Sequence, residues 1–308
     1  MLATLSILAR RVNNFYFDGL GAAAYRPLYC GDCQVGMISP AVLAQLYNYP
    51  AIFTVSEERV VLSERLVSEQ ERSAALEEAL LDMKRRDVFP PLRGWRNECY
   101  EVRQSITEPL LFKMERSAAP LFGVRQYGVH INGFVRHSSL GLCLWLQRRS
   151  ATKQTWPGMM DNFVGGALAD GVGVLETAVK EAAEEANVPE CLASELRPAG
   201  SVSFLHLSQR GIHNNTLFIY DLELPETFLP SNNDGEVSGW ELVPLDQVLA
   251  TISSEEFKVT SSPVALDWLI RYGHLSVDPG PEDPLKLCHL PLNELGNLDQ
   301  AFNLENFA

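Results

Sequence analysis

Residues 180–186 read KEAAEEA, and the three glutamates Glu181, Glu184 and Glu185 raise the first chemical question. Wound into a helix at about 100° per residue, they fall within an arc of roughly 100°. Leu175, Val179, Ala182, Ala183 and Ala186 fill the opposite arc, so the helix is expected to be amphipathic with an all-carboxylate crest. Such a crest is either a solvated face or a metal site. Like charges four residues apart, as at Glu181 and Glu185, cost a helix roughly a few tenths of a kcal/mol, and a divalent cation removes that cost. Oxygen-only ligands suit Mg²⁺ or Mn²⁺, which take a few carboxylates and leave other positions to water and substrate phosphates. Lys180 lies four residues after Glu176 and four before Glu184, where it braces a ligand or forms a simple surface ion pair.

Upstream, residues 147–171 read QRRSATKQTWPGMMDNFVGGALADG. Arg148, Arg149 and Lys153 cluster in an otherwise acidic chain, and by themselves read equally well as a solubilising strand end. Gly165, Gly166 and Gly171 permit close backbone approach just before the helix. Basic trio, glycine loop and carboxylate helix together make a site for a metal-bound diphosphate. Its metal ligands would be Glu181, Glu184 and Glu185, and its phosphate ligands Arg148, Arg149 and Lys153. Glu236, in NDGEV, is a further ligand or base, or else a bare turn residue. Trp156 and Trp240 stack on a heteroaromatic ring or simply pack. His130, His206 and His213 have no partner spacing and are read as structural.

The elements that must position these residues come from composition and pattern. At 308 residues, two domains are expected. A net charge of −14 disfavours nucleic acid as a partner. No run of eighteen apolar residues suggests a membrane span. Six scattered cysteines point to reduced thiols and a cytoplasmic protein, with organelle targeting by the N-terminus left open. Cys30-Gly31-Asp32-Cys33 reads as a tight turn between strands, because no second ligand pair completes a zinc site. MLATLSILARRV is expected to be an ordinary first helix. Residues 1–118 read as a small α+β domain: helix at AVLAQLYNYP, strand–turn–strand at AIFTVSEERVVL, then helix SEQERSAALEEALLDMKRRD before a break at VFPPLRGW. Residues 119–275 form a second, strand-rich domain with β-type runs GVHINGFV, LGLCLWLQRR, SVSFLHLS and TLFIYDLEL. Residues 276–308 read as a linker and tail.

Gly166, Glu181, Glu184 and Glu185 stand at the spacing of the Nudix box, with Ala182 and Val188 at its two apolar positions. Val172 replaces the expected first Glu, Lys180 the Arg and Asn187 the closing Gly. Glu176 is placed to take over part of the missing Glu's bracing role. Over roughly residues 20 to 275 the chain resembles the Nudix subgroup related to thiamine pyrophosphokinase. The runs that carry this are RPLYCGDCQVGMISPAVLAQLYNYPAIFTV, MERSAAPLFGV, GVHINGFV, RRSATKQTWPGMMDN, KEAAEEA, YDLELPETFLPSNNDGEV and LDWLIRYG. The resemblance implies a Nudix α/β/α sandwich with a mixed sheet behind a DUF4743-type α+β domain. It also implies hydrolysis of a small organic diphosphate, thiamine diphosphate or its oxidised, damaged forms, to the monophosphate. A nucleoside diphosphate derivative is the alternative substrate, and a degenerate ligand-binding Nudix module the non-enzymatic one. Type I isopentenyl diphosphate isomerases are similar in this region but need a Cys and a His where Gly165 and Ala167 stand here. No GxxxxGK[ST] loop supports a kinase. A homodimer is left open.

Overall fold

The computed structural model describes residues 2–17 and 24–275; the expected linker and tail lie outside the described residues. Two helices open the chain, α1 (Leu2–Val12) and α2 (Asn14–Phe17). Strands β1 (Arg26–Cys30) and β2 (Cys33–Ile38) then form a hairpin with Cys30 opposite Cys33, and Gly31 turns it at φ 58°. Helix α3 (Pro40–Leu46) starts where the Ser39 hydroxyl accepts from the Val42 N–H. Strands β3 (Phe53–Val55) and β4 (Val60–Leu62) occupy the expected strand–turn–strand run. Parallel pairing of β4 with β1 closes a four-stranded sheet in the order β2-β1-β4-β3. Helix α4 (Glu69–Arg85) begins at a capping box of Ser68 and Glu71, and a 3₁₀ turn at Pro90–Gly94 follows at the expected break. Strands β5 (Cys99–Val102) and β6 (Phe112–Glu115) pair antiparallel, and a short helix α5 (Ala119–Phe122) leads out.

The second sheet starts with β7 (Arg125–His137) and β8 (Gly141–Arg149), which pair only near their shared turn. Beyond it they splay, and β9 (Met160–Asn162) joins β8 while β10 (Val164–Ala167) joins β7. Helices α6 (Val174–Ala186) and α7 (Glu190–Ala193) follow, then the long hairpin of β11 (Arg197–Ser208) and β12 (Gly211–Glu223). Strand β12 runs parallel to β7, and β13 (Val237–Pro244) edges β8, which makes the sheet mixed. Helices α8 (Leu245–Ser253) and α9 (Ser262–Arg271) complete the described chain. One sheet face packs Val129, Ile131, Phe163 and Leu222 against Ala178, Ala182 and Ala186 of α6. The other packs Leu146, Phe204 and Ile219 against Trp268 and Leu269 of α9 and Leu5 and Leu8 of α1. The architecture is therefore α/β/α, with alternating strand residues feeding two cores. Among the described residues no helix is long and apolar enough to cross a membrane.

Helix α1 is the ordinary helix its pattern suggested, but it covers the second sheet rather than the four-stranded one. Arg11 donates to Ser253 O, and Asn13 Oδ1 accepts from Leu205 N. The four-stranded sheet has its own core of Leu28, Val42, Phe53, Leu76 and Phe112. Between the two, the turn at Pro120–Gly123 is gripped from both sides. A Cβ at Gly36 would stand 2.3 Å from Phe122 O, and one at Gly211 would stand 2.1 Å from Pro120 O. Gly211 also holds φ 121°, a backbone conformation that favours glycine. Asn214 Nδ2 donates to Gly123 O at 3.1 Å in a buried position, which fastens the same turn to β12. Gly211→Ala is expected to cost about 2 kcal/mol or more, from backbone strain and steric overlap. Thermal unfolding would check this; a Tm equal to wild type would mean that the two parts are not held through this contact.

Candidate active site

Helix α6 is rotated from the orientation that its apolar arc predicts. Its buried residues are Thr177, Ala178, Ala182, Glu185 and Ala186, while Ala183 is exposed and Leu175 is 53% exposed. The expectation that Leu175 and Ala183 lie on the apolar, core-facing arc is therefore corrected, and Glu185 lies on the buried side rather than on a solvated face. A turn of the helix about its axis brings the carboxylate crest partly underneath, against the glycine strand. Glu185 is only 1% exposed, and its Oε2 accepts from Gln147 Nε2 at 3.1 Å and from Gly165 N at 3.0 Å. Glu181 lies against Gly166: a Cβ there would stand 2.2 Å from the Glu181 carboxyl carbon. That contact gives the glycine six residues before Val172 its physical reason. Glu184 is half-exposed and forms a 3.6 Å ion pair with Lys180, a contact of small energy.

Burial raises the Glu181 carboxyl, with Lys180, Lys153 and Arg116 opposing and Glu184 assisting. Burial also pushes Glu185 up to about 7, against the Gly165 N–H and Lys153 and with help from Glu181. Lys153 is thus close enough to act on both carboxylates. Its own ammonium is lowered by burial and by Arg149. Lys153 ion-pairs with Glu236, whose loop docks on α6 through Asn233: Asn233 N donates to Glu184 O at 3.2 Å, and Asn233 Nδ2 to Ala183 O at 3.0 Å. Glu181, Glu185 and Lys153 are thus grouped beside Gly165 and Gly166, with Glu236 joined through Lys153, while the Glu184 side chain pairs with Lys180.

The two arginines of the basic trio are differently employed. Arg149 is buried, donating from Nε to Trp156 O, from Nη1 to Asp161 Oδ2 and from Nη2 to Thr155 O. Every part of its fork is taken, so it holds the 155–161 segment rather than standing free for a phosphate. Arg148 donates to Gly158 O and pairs with Glu241 and Glu256 at the far edge of β8. Glu176 accepts from Gly173 N at 3.5 Å and serves as an N-terminal cap of α6; among the described residues Lys180 pairs with Glu184 rather than with Glu176. Val172 is half-buried and lines a cavity of about 310 Å³ with Tyr100, Glu101, Tyr127 and Leu168.

Behind Glu185 stands a buried ionic group. Asp161 pairs with Arg149 at 3.0 Å and Lys258 at 2.9 Å; burial opposes its ionisation, but the two cations outweigh it and hold the carboxyl low. Burial, then Lys258, lowers His130 to about 3, and its Nδ1 is 2.8 Å from Asn162 Nδ2, a neutral structural histidine. Desolvation likewise lowers the half-buried His213 to about 3, with Ser208 Oγ 2.8 Å from its Nε2, and His206 Nδ1 contacts Arg11 O. Trp156 packs on the His206 ring and Trp240 against the core under α6. The pattern missed Gln147, whose signal was present: alternation along LGLCLWLQRR places it on the same buried face as Trp145. Lys258 and Arg116 carried no local signal.

Among the described residues, no three His, Cys, Asp or Glu side chains converge into a ready metal cage. The donor set nonetheless fits an open site. Both donors to Glu185 use Oε2, which leaves Oε1 available, and Glu181 is seated by Gly166 one helical turn away. A few carboxylates with water and substrate oxygens completing the shell suit Mg²⁺ or Mn²⁺.

The raised Glu185 has a thermodynamic consequence. Between the ordinary carboxylate range and about pH 7, the folded metal-free protein holds a proton that the unfolded chain has lost, so stability falls as pH rises through that window. Glu185→Gln retains an acceptor for both donors and removes the titration. The metal-free variant is expected to exceed wild type by about 1–3 kcal/mol at pH 8 and to match it near pH 4.5. Denaturant unfolding in EDTA at the two pH values would check this, and a variant less stable than wild type at pH 8 would contradict it.

Comparison with known proteins adds the family. Residues 127–262 match the NUDIX domain, and residues 5–126 match the domain of unknown function DUF4743. The chain is 37% identical to Nudix hydrolase 20, chloroplastic, of Arabidopsis thaliana over 81% of its own length and 68% of that protein's. It is 36% identical to Nudix hydrolase 24, chloroplastic, of the same plant, over 84% and 69%. A crystal structure of DR0079 from Deinococcus radiodurans is similar at 26% identity, covering 56% of this chain and 96% of that one with a TM-score of 0.38. Nudix hydrolases generally use divalent metal ions, in keeping with the carboxylates of α6. With its glutamates seated on a glycine strand and its N-terminal DUF4743 domain, this chain belongs to the Nudix hydrolase family and is a Nudix-type hydrolase.

Proposed function

We propose that the substrate is a small organic diphosphate, thiamine diphosphate or an oxidised form of it, cut to the monophosphate with release of inorganic phosphate. The observation that carries a diphosphate is the joint placement of Glu181, Glu185 and Lys153 beside the glycine strand. The thiamine assignment is supported by the sequence resemblance, which spans both domains. Mg²⁺ or Mn²⁺ would be held by Glu181, Glu184 and Glu185, and would supply charge neutralisation and acidification of water.

The chain's own residues do the rest. In the free protein Lys153 is paired with Glu236; an incoming phosphate competes for that ammonium and releases Glu236. Freed, Glu236 is placed to accept a proton from the attacking water as its oxygen bonds to phosphorus and the bridging P–O bond breaks. Lys153 balances the charge that develops on the phosphoryl oxygens. Arg149 keeps the Lys153 loop in place through its three carbonyl and carboxylate partners.

The test is incubation with Mg²⁺ or Mn²⁺ and a panel of thiamine diphosphates, nucleoside diphosphates and isopentenyl diphosphate, with products identified by mass. Monophosphate release from a thiamine-type diphosphate is expected, with Glu185→Gln lowering kcat at least a hundredfold. Cleavage of nucleotides alone would remove the thiamine assignment. Absence of turnover in wild type and variant alike, with metal still bound, would favour a ligand-binding module.

A further inference from the structure

Three arginines stand in sequence across the junction between the two parts of the chain. Arg96 follows the 3₁₀ turn at Pro90–Gly94, Arg116 follows β6, and Arg210 sits in the turn between β11 and β12. All three are half-buried. A Cβ on Gly94 would stand 3.3 Å from Gln154 Oε1 and 4.0 Å from Arg210 Nη2, so Arg210 reaches the backbone two residues before Arg96. Arg96 N donates to Glu115 Oε1 at 3.0 Å, and Arg116 N to Glu98 O at 2.8 Å, so two adjacent backbone anchors fix the first two side chains.

Their charges are incompletely balanced. Arg116 ion-pairs with Glu98 and lies over the Tyr100 ring at 5.5 Å. The guanidinium groups of Arg96 and Arg210 make no hydrogen bond and no ion pair among the described residues. Glu115 is the other nearby acid: its Oε1 accepts from the N–H groups of Arg96 and Ser117, and its buried Oε2 has no hydrogen-bond partner among the described residues, which leaves two carboxylates beside three guanidinium groups. Burial lowers both unpaired arginines, and each feels the next: Arg116 acts on Arg96, and Arg96 on Arg210. Half-buried guanidinium groups without a protein partner keep their donors for water or for an incoming anion. The run reaches the candidate active site through Arg210, because Gln154, which shares the Gly94 backbone with Arg210 Nη2, adjoins Lys153 in the chain.

We propose that Arg96, Arg116 and Arg210 form a phosphate-binding cradle, through which the N-terminal domain holds the terminal phosphoryl group of the substrate diphosphate. Planar guanidinium forks suit bidentate contact with phosphate oxygens, and water is partly excluded at the junction. This rests on the diphosphate reading above and adds to it a role for the N-terminal domain. The arginines act on binding and on the departing phosphate, while α6 acts on the attacked bond.

The experiment uses the full chain. Binding of inorganic pyrophosphate and of inorganic phosphate is measured calorimetrically in EDTA, for wild type, Arg96→Ala, Arg210→Ala, the double variant, Arg96→Lys and the surface control Arg197→Ala. Thermal unfolding of each variant confirms folding. Wild type and Arg197→Ala are expected to bind pyrophosphate more tightly than phosphate. The double variant should lose at least tenfold in affinity, and Arg96→Lys should recover part of the Arg96→Ala loss. With a cleaved diphosphate in hand, KM should rise at least tenfold in the double variant, with a smaller change in kcat. Equal pyrophosphate affinity in wild type and double variant, or none in wild type, would overturn the cradle. Arginine-dependent pyrophosphate binding in a protein that cleaves no diphosphate would support the cradle and refute the hydrolytic reading instead.

Discussion

The burial of one carboxyl group, that of Glu185, governs the arrangement of the second domain. Taking a carboxylate out of water costs on the order of several kcal/mol unless it is protonated or provided with donors. The fold provides two, from Gln147 on β8 and Gly165 on β10. Those two strands can both reach Oε2 because β7 and β8 splay and admit β9 and β10 between them. The rotation of α6, which leaves Leu175 in water and hides Glu185, follows from that demand rather than from hydrophobic burial. Behind it the Asp161, Arg149 and Lys258 group fixes the 155–161 segment and sets a charged background. Position of the helix, ionisation of its glutamates and placement of Lys153 are thus one problem with one solution.

The N-terminal domain is joined to that solution through a tight connection. Gly36 and Gly211 admit the Pro120–Gly123 turn, and Phe15, Met37, Leu205 and Ile212 form a small core shared across the junction. Lys113 of β6 ion-pairs with Asp170 in the loop before α6. That ion pair places β6 beside the loop before α6, where Val172 lines a cavity with Tyr100 and Glu101. The chain has α1 crossing the other way to cover the second sheet, so the second part is not built from one continuous stretch of sequence, while the first is.

Much of this was legible in the residues, for identifiable reasons. The spacing of Gly166, Glu181, Glu184 and Glu185 marks the helix and its glycine strand because both are local and their chemistry is specific. The hairpin at Cys30 to Cys33 and the strands around Val55 and Val60 follow from turn residues between β-type runs. What escaped was what depends on distant partners. A helical wheel sorts residues by polarity, so it put Leu175 and Ala183 on the core side and could not decide between water and a site for Glu185; only Gln147 and Gly165, far away in sequence, reveal where it points. Arg148 and Arg149 looked alike as neighbours, yet adjacent strand residues face opposite ways, and one became a buried anchor while the other became an edge ion pair. Arg96 and Arg210 had no motif at all. Their significance comes from lacking partners, which only a folded structure can show.

The most direct test of this account is the proton released when metal binds. If Glu185 is held near neutrality by burial and then ionised to bind a divalent ion, calorimetric titration of the metal-free protein with Mn²⁺ at pH 6.5 in buffers of different ionisation enthalpy should register net proton release. The release should shrink toward pH 8.5, where the carboxyl is already ionised, and vanish in Glu185→Gln. Tight Mn²⁺ binding at pH 6.5 without proton release, or release unchanged in the variant, would contradict the central place given to this buried glutamate.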